Sequence, residues 1–373
     1  MKHRLLYIAP HRPGRSPGQR FRFEQFMQFL ESEGFEITYS FLLNEWDDRK
    51  FYKRGNYLLK CWIAFKCVII RLFDVLRASR YDYIIVYREA HFWGWAIFEK
   101  LLSKSRAALL FDFDDAIWLN DISESNKNLS WLKSSAKTAK IAQLANVVMV
   151  GNSFLADYAR QSNQNVVIVP TVIDTTLYKY RGAVDSTPVT IGWIGSTTTL
   201  KHFQNAIPAL TAIKEKYGNK VNFKVIVDVD YSVDELELKS TKWNKDTELE
   251  ELNKVDIGIM PLPDDKWSCG KCGFKGIQYM ALGIATVMSP VGVNTDIIEH
   301  GVNGFLASTD SEWIDCLSQL IESVELRRRL GEAARKTIDE RYSVRSQESN
   351  LLNAILLAGK LKGIRDKVLG VGY

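Results

Sequence analysis

The chain has 373 residues, of which 46% are hydrophobic and 25% are charged, and its formal net charge is +5. This is the composition of a globular protein, and the length predicts about two domains of ordinary size. The positive charge is too small and too evenly spread for a nucleic-acid-binding protein, although it suits anionic small molecules or a membrane surface. We therefore predict no nucleic-acid partner.

The cysteine pattern and the N-terminal sequence indicate in which cellular compartment the protein is expected. The five cysteines are an odd number at irregular spacing, and the first residues begin a strand pattern without a signal-peptide hydrophobic region. We expect a cytoplasmic protein with free thiols. Cys269 and Cys272 form a C-x-x-C pair, but no second Cys/His pair supports a zinc site, so a plain loop is favoured over metal or redox chemistry. We predict no metal and no cofactor.

Strand patterns alternate with amphipathic helix patterns along the first half of the chain. This alternation is typical of α/β proteins with parallel sheets. In chain order we expect a strand at Arg4 to Ala9, a helix at Arg20 to Gly34, a strand at Glu36 to Phe41, a helix at about Phe51 to Ser79, a strand at Tyr83 to Tyr87, a helix from Trp93, a strand at Ala107 to Phe111, a helix near Leu129 to Leu144, a strand at Val147 to Val150, a helix from Ser153 and a strand at Val166 to Val169.

A polar, turn-rich stretch, Arg181 to Pro188, separates this half from a second one. Val189 to Ile194 restarts the pattern as a new first strand, so we place a domain boundary here. The second half continues with strands at Phe223 to Val227, Ile257 to Met260, Thr286 to Met288 and Gly304 to Leu306, helices from Ser311 and Leu326, and a last helix after Ser343.

Two glycine turns in the second half lead into predicted helices. A small-residue turn at the start of Gly270 to Gly283 opens a short helix, and Gly292 precedes another helix that opens at Asp296. The N–H groups and the positive dipole end of a helix start bind anions, and Lys271 and Lys275 add positive charge. The sequence therefore predicts a site for a diphosphate.

The same segment resembles the donor-binding signature of retaining GT-B glycosyltransferases of the family 4, or glycosyl transferases group 1, type. In that family a Glu-containing stretch that ends in Met-Ala-x-Gly holds the nucleotide sugar. The matching residues here are Tyr279, Met280, Ala281, Gly283, Gly292, Asp296, Glu299, Gly301, Asn303 and Gly304.

Two departures from this signature fall at chemically important places. The family's ribose-binding Glu is Gln278 here, and its paired Glu falls on Gly270. An amide still exchanges hydrogen bonds with ribose hydroxyls. A glycine supplies no carboxylate, so a catalytic role of that Glu has no residue to carry it.

Further motifs extend the resemblance over nearly the whole chain. Val169 to Tyr178 resembles the family's interdomain segment. Gly195 to Lys201 resembles a strand-end loop in which Lys201 stands at the family's Lys position and Ser196 replaces its Arg. The segments Tyr87 to Glu89 and Phe111 to Trp118 are similar to a subgroup linked to bacterial surface polysaccharides.

Residues after the first and third strands lie where an α/β sheet binds ligands. The resemblance implies that Gly18 lets the donor approach the backbone and that Arg20 or Arg22 meets phosphate or acceptor, while a solvated turn is the alternative. His91 lies near the family's cleft histidine, which faces the donor sugar. The alternative is a structural histidine.

Three acids, Asp112, Asp114 and Asp115, end a predicted strand. They allow three interpretations: a metal-binding D-x-D, contacts with acceptor hydroxyls, or an ion pair with an arginine such as Arg88. The second Rossmann-like half argues against the fold that uses D-x-D. The resemblance assigns Arg20, Arg88, Glu89, Asp114 and Asp115 to the acceptor side.

The segment from Lys53 to Arg80 predicts a basic amphipathic helix. Its interior cations exclude a transmembrane span. One interpretation places it on an anionic membrane surface, and the other buries it against its own sheet. One half of the helical wheel carries Lys53, Lys60, Lys66, Arg71, Asp74, Arg77 and Arg80, and the other mainly carries Leu58, Trp62, Phe65, Val68, Ile69, Leu72 and Leu76.

The resemblance implies a hexosyltransferase-like enzyme that moves a sugar, with retention, from a UDP- or GDP-type nucleotide sugar to a saccharide or lipid-linked acceptor in cell-surface polysaccharide synthesis. It implies an α/β fold of GT-B type, in which two Rossmann-like domains (residues 1–180 and 188–340) have parallel sheets that face a central cleft, and a C-terminal helix (341–373) returns to the first domain. A same-fold sugar-nucleotide epimerase or hydrolase, and a non-catalytic sugar-nucleotide-binding protein at a membrane, are the alternatives.

The resemblance also implies roles for single residues. Lys201 and Lys275 would neutralise the leaving diphosphate, Gln278 would hold the ribose, and N–H groups from Gly292 to Asp296 would cradle phosphate or sugar oxygens. Catalysis is assigned to His91, Lys201 and Lys275, and donor binding to Gly18, Gly195, Ser196, Lys201, Lys271, Lys275, Gln278, Gly292, Val293, Asn294 and Asp296.

Overall fold

The chain divides into two compact units in the computed structural model, which describes residues 2–53, 55–92, 94–119 and 135–364. The first unit takes the chain up to Thr171 and the segment from Gln347 onward, and the second unit takes Val172–Ser346. Residues 172–187 belong to the second unit because their side chains bond to it. Arg181 Nη2, for example, lies 3.1 Å from Asp256 Oδ1.

The first unit has a six-stranded, all-parallel sheet in the order β2-β1-β3-β4-β5-β6. Its strands are β1 (His3–His11), β2 (Phe35–Leu43), β3 (Tyr83–Tyr87), β4 (Ala108–Phe113), β5 (Val147–Val150) and β6 (Val166–Ile168). The helices between them are α1 (Pro17–Arg22), α2 (Met27–Ser32), α3 (Glu45–Phe51), α4 (Tyr57–Arg77), α5 (Ile97–Ser103), α6 (Ser135–Leu144) and α7 (Ser153–Arg160).

The apolar runs of the sequence explain this sheet. Leu5 to Ala9 of β1 are completely buried, as are nearly all residues of β3 and β4. Strands that are covered on both faces read as continuous apolar runs, which is typical of parallel sheets. Because the strands are parallel, the segments that follow β1, β3 and β4 emerge at one edge of the sheet.

The last helix, α16 (Val344–Lys362), packs on the first unit from Gln347 onward. Asn350 Nδ2 donates to the Ile168 carbonyl at 2.9 Å, and Lys362 Nζ donates to the Ser103 carbonyl at 3.1 Å. Gly359 is needed for this packing, because an added Cβ would lie 2.4 Å from the Tyr83 hydroxyl. The helix therefore returns to the N-terminal sheet.

The second unit has its own parallel six-stranded sheet in the order β11-β8-β7-β12-β13-β14. Its strands are β7 (Val189–Ile194), β8 (Val221–Val227), β11 (Thr241–Lys242), β12 (Ile257–Met260), β13 (Ala285–Met288) and β14 (Phe305–Leu306), and β9 (Ser232–Val233) pairs antiparallel with β10 (Leu238–Lys239). The helices are α8 (Leu200–Gln204), α9 (Ile207–Tyr217), α10 (Glu248–Leu252), α11 (Lys266–Cys269), α12 (Phe274–Ala281), α13 (Asn294–Ile297), α14 (Asp310–Glu322) and α15 (Val324–Thr337).

Helix α12 lies closely against the second sheet. Gly258 of β12 makes room for it, since an added Cβ would lie 2.3 Å from the Tyr279 ring. The Tyr279 hydroxyl crosses to β7 and accepts a hydrogen bond from the Ile194 N–H at 2.9 Å. These contacts fix the helix that carries Lys275 and Gln278.

Several elements differ from the sequence-based expectation. The helix expected at Arg20 to Gly34 is α1, a 3₁₀ turn and α2, because Phe23 leaves the helical region with φ of −137°. The helix expected from Phe51 is α4, which begins at Tyr57. The predicted start at Trp93 and the first residues of the helix expected from Leu129 lie outside the described residues.

Helix α4 faces the protein with a mixed stripe that contains apolar residues and a buried ion pair. Its buried side chains are Ile63, Cys67, Arg71 and Asp74. The expectation that its apolar half packs on its own sheet is wrong, because most of that half is exposed: Leu58 90%, Trp62 62%, Phe65 54%, Ile69 38%, Leu72 45% and Leu76 79%. In the described part of the chain, no helix is long and apolar enough to span a membrane.

A buried ion pair causes this orientation of α4. Arg71 is fully buried, and its Nη1 lies 2.7 Å from Asp74 Oδ2 and 2.9 Å from Ser40 Oγ. Its Nη2 donates to the Ala9 carbonyl of β1 at 2.8 Å. A buried charge must be paired and hydrogen-bonded, and these contacts fix this mixed stripe against the sheet.

Candidate donor site

Three neighbouring strands of the second sheet, β7, β12 and β13, end at the same edge. The loop after β7 leads into α8, the loop after β12 leads through α11 into α12, and the loop after β13 leads into α13. In parallel sheets ligands bind at this carboxyl edge. The structure therefore brings the predicted segments 195–201, 271–278 and 292–296 to one edge.

The loop after β7 needs its glycine. An added Cβ at Gly195 would lie 2.2 Å from the Trp193 ring. Ser196 caps the 3₁₀ turn Thr197–Thr199, and its N–H donates to Thr199 Oγ1 at 3.0 Å. The predicted donor-binding residue Ser196 is therefore engaged in shaping the turn that leads to α8.

The predicted lysines come from three elements. Lys201 is exposed on α8, Lys271 precedes α12, and Lys275 is in the first turn of α12. Lys275 Nζ lies 5.6 Å from the centroid of the Trp193 ring, and Lys271 Nζ lies 4.7 Å from that of Trp267. Aromatic faces attract ammonium groups and hold them near the sheet edge.

The charges of these lysines act on one histidine of α8. Burial, followed by the positive charges of Lys275, Lys271 and Lys201, lowers the pKa of His202 to about 4, while Asp265 opposes this effect. Three ammonium groups therefore act on one buried imidazole. From the sequence His202 is expected to be a packing or solvent-facing residue, because Lys271 and Lys275 are distant from it in the chain.

Gln278 lies in a buried hydrogen-bond network rather than on the surface. Its Nε2 donates to the Tyr178 hydroxyl at 3.1 Å and to Glu248 Oε1 at 3.2 Å. The Tyr178 hydroxyl donates to Glu248 Oε1 at 2.7 Å, and Trp243 Nε1 donates to Glu248 Oε2 at 2.6 Å. A ribose contact of Gln278 stays a prediction. Both hydrogen bonds of Gln278 in this network use its Nε2, so the ribose contact would use the amide oxygen. Sequence reasoning missed Glu248, which is the acceptor of all three donors.

The glycine loop after β13 differs in part from the expectation. Gly292 has φ of +54°, and an added Cβ would lie 2.7 Å from the Cys269 carbonyl oxygen, so the position requires glycine. Helix α13 has only four residues, and the N–H groups of Asn294, Thr295 and Asp296 donate to the carbonyls of Val291, Gly292 and Val293. The predicted cradle of N–H groups is therefore already occupied at Asn294 and Asp296. Val293 and Asn294 are buried, and Asp296 is exposed.

The residues predicted for the acceptor side lie in the first unit and bond to one another. Arg88 Nη2 lies 2.7 Å from Asp114 Oδ1 and 3.3 Å from Asp115 Oδ2, and Lys137 Nζ lies 2.8 Å from Glu89 Oε2. Burial raises the pKa of Asp114, but Arg88, Arg22 and the Tyr87 hydroxyl together offset this effect and hold that pKa below its usual value. Of the three interpretations of these acids, the ion pair is the one present.

Arg88 also has an unusual backbone conformation. Its φ of +59° lies in the left-handed region, which is uncommon for a residue other than glycine. Local strain of this kind is found at functional sites more often than elsewhere. Arg88 therefore stays a candidate for acceptor contact, although its guanidinium is engaged.

Two further arginines and a glycine of the first unit have structural partners. Arg22 forms a buried ion pair with Asp112, so its guanidinium is engaged, and the contact of Arg20 or Arg22 with phosphate or acceptor stays a prediction. Arg20 lies over the Phe21 ring at 4.2 Å. The space beside Gly18 is filled by the Tyr87 hydroxyl, which an added Cβ would approach to 2.1 Å.

His91 lies in the interior of the first unit. It is 1% exposed, and its ring centroid is 5.5 Å from that of Phe98. Burial, followed by Lys137 and Arg71, lowers its pKa to about 4. This packing is that of a structural histidine, and the catalytic role of His91 stays a prediction.

No cluster of three or more His, Cys, Asp or Glu within the described ranges is arranged to hold a metal ion. The five cysteines, which all lie in those ranges, form no disulfide. The carboxylates considered for metal binding, Asp112 and Asp114, are instead paired with Arg22 and Arg88.

Residues 188–323 match the family model of the glycosyl transferases group 1. The matched stretch runs from the start of β7 through α14 and contains every predicted donor residue from Gly195 to Asp296. No curated protein matches the chain.

Solved glycosyltransferases share the fold over almost the whole chain. A glycosyltransferase from Rickettsia africae ESF-5 is 14% identical with a TM-score of 0.66, over 96% of this chain and 98% of that one. Anabaena HepE in complex with UDP-glucose is 13% identical with a TM-score of 0.66, over 95% and 99%. Sucrose-phosphate synthase from Thermosynechococcus elongatus is 13% identical with a TM-score of 0.66, over 98% and 100%.

These likenesses confirm the predicted fold class, which is two parallel-sheet α/β units as in GT-B glycosyltransferases. At such low identity they show the fold alone, and the match to the family model carries the chemistry. Residues 188–323 therefore match a glycosyl transferases group 1 domain, within a chain that has the fold of solved glycosyltransferases.

Proposed function

We propose that the protein transfers a hexose, with retention, from a UDP- or GDP-sugar to a saccharide or lipid-linked acceptor in cell-surface polysaccharide synthesis. The observation that carries the proposal is the position of Lys201, Lys271 and Lys275 in the segments that follow β7 and β12 at the carboxyl edge of the sheet, within the stretch that matches the group 1 model. HepE, which shares the fold, has been solved with UDP-glucose.

The three lysines supply the chemistry that this transfer needs. When the bond between the anomeric carbon and the diphosphate breaks, negative charge develops on the leaving phosphate. Ammonium groups that are already in place stabilise that charge and require little reorganisation. Because position 270 is a glycine, we assign the chemistry to charge stabilisation and orientation of the two substrates, without a protein nucleophile.

The test is the affinity for UDP and GDP of Lys201→Ala and Lys275→Ala, measured by titration calorimetry. Loss of one charge-assisted contact costs about 1.5–3 kcal/mol, so we expect roughly a ten- to hundredfold weaker Kd for each variant. Lys254→Ala is the matched control, because Lys254 pairs with Glu250 and Glu251 on the surface of α10. Wild-type affinity in both site variants would refute the assignment.

Acceptor dependence separates this proposal from its alternatives. Turnover of a nucleotide sugar without any acceptor favours an epimerase or hydrolase. Donor binding without transfer to any saccharide or lipid-linked acceptor favours a non-catalytic protein. Acceptor-dependent transfer with an unchanged anomeric configuration in the product supports the proposal.

We also propose that the exposed apolar face of α4 rests on an anionic membrane at the cytoplasmic side. The face is defined as Leu58, Trp62, Phe65, Ile69, Leu72, Phe73 and Leu76. Single exposed apolar residues are common, but a contiguous row of them on one helix indicates an interaction site. The row includes three aromatic side chains, and aromatics favour the membrane interface.

Charge next to this face supports a lipid surface over a protein partner. Lys53 and Arg80 flank α4 and are exposed, and Lys60 lies in its second turn. Basic residues at an anionic bilayer contribute about 1 kcal/mol each. Lys66 and Arg71 are not part of this surface, because they pair with Asp47 and Asp74. A lipid-linked acceptor would be reached from such a position.

A further inference from the structure

His202 is a buried imidazole without hydrogen bonds. The residue is 3% exposed, and neither Nδ1 nor Nε2 has a partner among the described residues. A neutral imidazole carries one N–H donor and one acceptor nitrogen, and a buried polar group without a partner costs free energy. A buried group of this kind calls for an explanation, and an interaction with a bound ligand is one that the neighbouring donor site offers.

The position of His202 connects it to the lysines of the donor site. It lies on α8, directly after Lys201 and directly before Phe203. The Phe203 ring packs against Trp193 with centroids 5.5 Å apart, and Trp193 in turn lies beneath Lys275 Nζ. The charged groups that act on the imidazole are Lys275, Lys271, Lys201 and Asp265.

We propose that His202 is a proton-linked fourth cation of the donor site: when a diphosphate binds among Lys201, Lys271 and Lys275, the imidazole takes up a proton from solvent and adds its charge to theirs. The inference rests on the proposed function, because it requires that these lysines bind a diphosphate.

The direction of the linkage follows from the charges. In the ligand-free protein, burial and the three lysines keep the imidazole neutral near neutral pH, since its pKa is about 4. A bound diphosphate offsets the lysine charges, and this raises the pKa of His202. Binding then takes up protons wherever the pH lies between the ligand-free and the ligand-bound pKa, and affinity increases as the pH falls through that window.

The experiment is calorimetric titration of the full chain with UDP-glucose and with GDP-mannose, in two buffers of different ionisation enthalpy, at about pH 6 and about pH 8. The diphosphate of these donors is doubly esterified, so its own charge does not change over this range. We expect the wild type to take up protons at the lower pH and to bind more tightly there.

His202→Gln is the site variant, because glutamine is polar but does not titrate. We expect it to bind without proton uptake and, at about pH 6, roughly tenfold or more weakly than the wild type. His300→Gln is the matched control, since His300 is exposed and its Nδ1 accepts a hydrogen bond from the Leu306 N–H. The control should keep the proton uptake of the wild type.

Three outcomes decide between the inference and the function on which it rests. Wild-type binding without proton uptake at either pH overturns the inference and leaves the proposed function standing, whether or not the variant folds. Equal proton uptake by the wild type and His202→Gln also overturns it. If the wild type binds neither donor and has no affinity for nucleoside diphosphates, both the inference and the proposed function are overturned.

Discussion

Glu248 illustrates how one residue organises the second unit. Its carboxylate accepts hydrogen bonds from the hydroxyl of Tyr178, the indole of Trp243 and the amide of Gln278. Tyr178 lies 70 positions and Gln278 lies 30 positions away in the chain. The carboxylate therefore ties the segment after the first unit to α10 and α12.

At the residue scale we predict that Glu248→Ala destabilises the protein. The substitution removes the acceptor of the buried Tyr178 hydroxyl, of the half-buried Trp243 indole and of one Gln278 amide hydrogen bond, and an unsatisfied buried group costs about 1–3 kcal/mol. The unfolding free energy in urea should fall by at least that amount. Glu250→Ala on the same helix is the control, because Glu250 is 69% exposed and its partner Lys254 is 49% exposed, and it should change stability by less than about 0.5 kcal/mol. Equal stability of the two variants would contradict the network.

At the scale of the element, α4 shows that amphipathicity does not by itself say which face is inside. The helix carries a polar and an apolar half, and its polar half contains Arg71 and Asp74. The guanidinium of Arg71 donates to the carbonyls of Ala9 and Ala90, and the carboxylate of Asp74 accepts a hydrogen bond from the Ser40 hydroxyl. The apolar half is consequently turned outward.

We predict that the exposed face of α4 binds vesicles that contain anionic lipid. Replacement of Trp62, Phe65 and Leu72 by serine should abolish co-sedimentation, because each buried apolar side chain contributes roughly 1.5–3 kcal/mol. The fold should persist, since all three side chains are already exposed.

The control for α4 exchanges apolar residues of the second unit. Leu177, Val184 and Val302 are 61%, 49% and 46% exposed, and their replacement by serine should leave vesicle binding intact. Binding should weaken with salt if the basic residues contribute. Unchanged co-sedimentation of the α4 variant would rule out this face as the membrane contact.

At the scale of the whole molecule, three histidines predict sensitivity to acid. Burial is the first cause that lowers the pKa of His11, His91 and His202, each to about 4. In the unfolded chain a histidine has a pKa near 6.5, so the unfolded state binds more protons below that pH. The unfolding free energy is therefore not reduced by these histidines above about pH 6.5. As the pH falls from there towards 4, each histidine lowers it by about 1.4 kcal/mol per pH unit.

The measurement is the unfolding free energy in urea between about pH 7 and about pH 4. His91→Gln and His202→Gln should each show a shallower loss than the wild type over this range. Buried acids with raised pKa values, Glu99 and Asp112, act in the opposite direction, so the comparison of slopes isolates the histidines. An identical slope in both variants and the wild type would disprove this account.

The sequence by itself determined the α/β class and most of the strands. Runs such as Leu5 to Ala9 and Val147 to Val150 are buried on both faces, and a strand of that kind leaves a continuous apolar run that can be recognised locally. Gly195 and Gly292 could also be recognised, because a tight turn or a positive φ requires glycine wherever the chain makes it. The donor segments were predictable for this reason.

Only the tertiary structure decided which side chains meet. Arg22 pairs with Asp112, which lies 90 residues away, and the charges of Lys271 and Lys275 act on His202 although these lysines are distant from it in the chain. Such pairs depend on the order and register of strands, which local periodicity does not contain. For the same reason the outward face of α4, the burial of His91 and the partners of Gln278 could not be predicted, since each depends on a neighbour that the fold, and not the adjacent sequence, supplies.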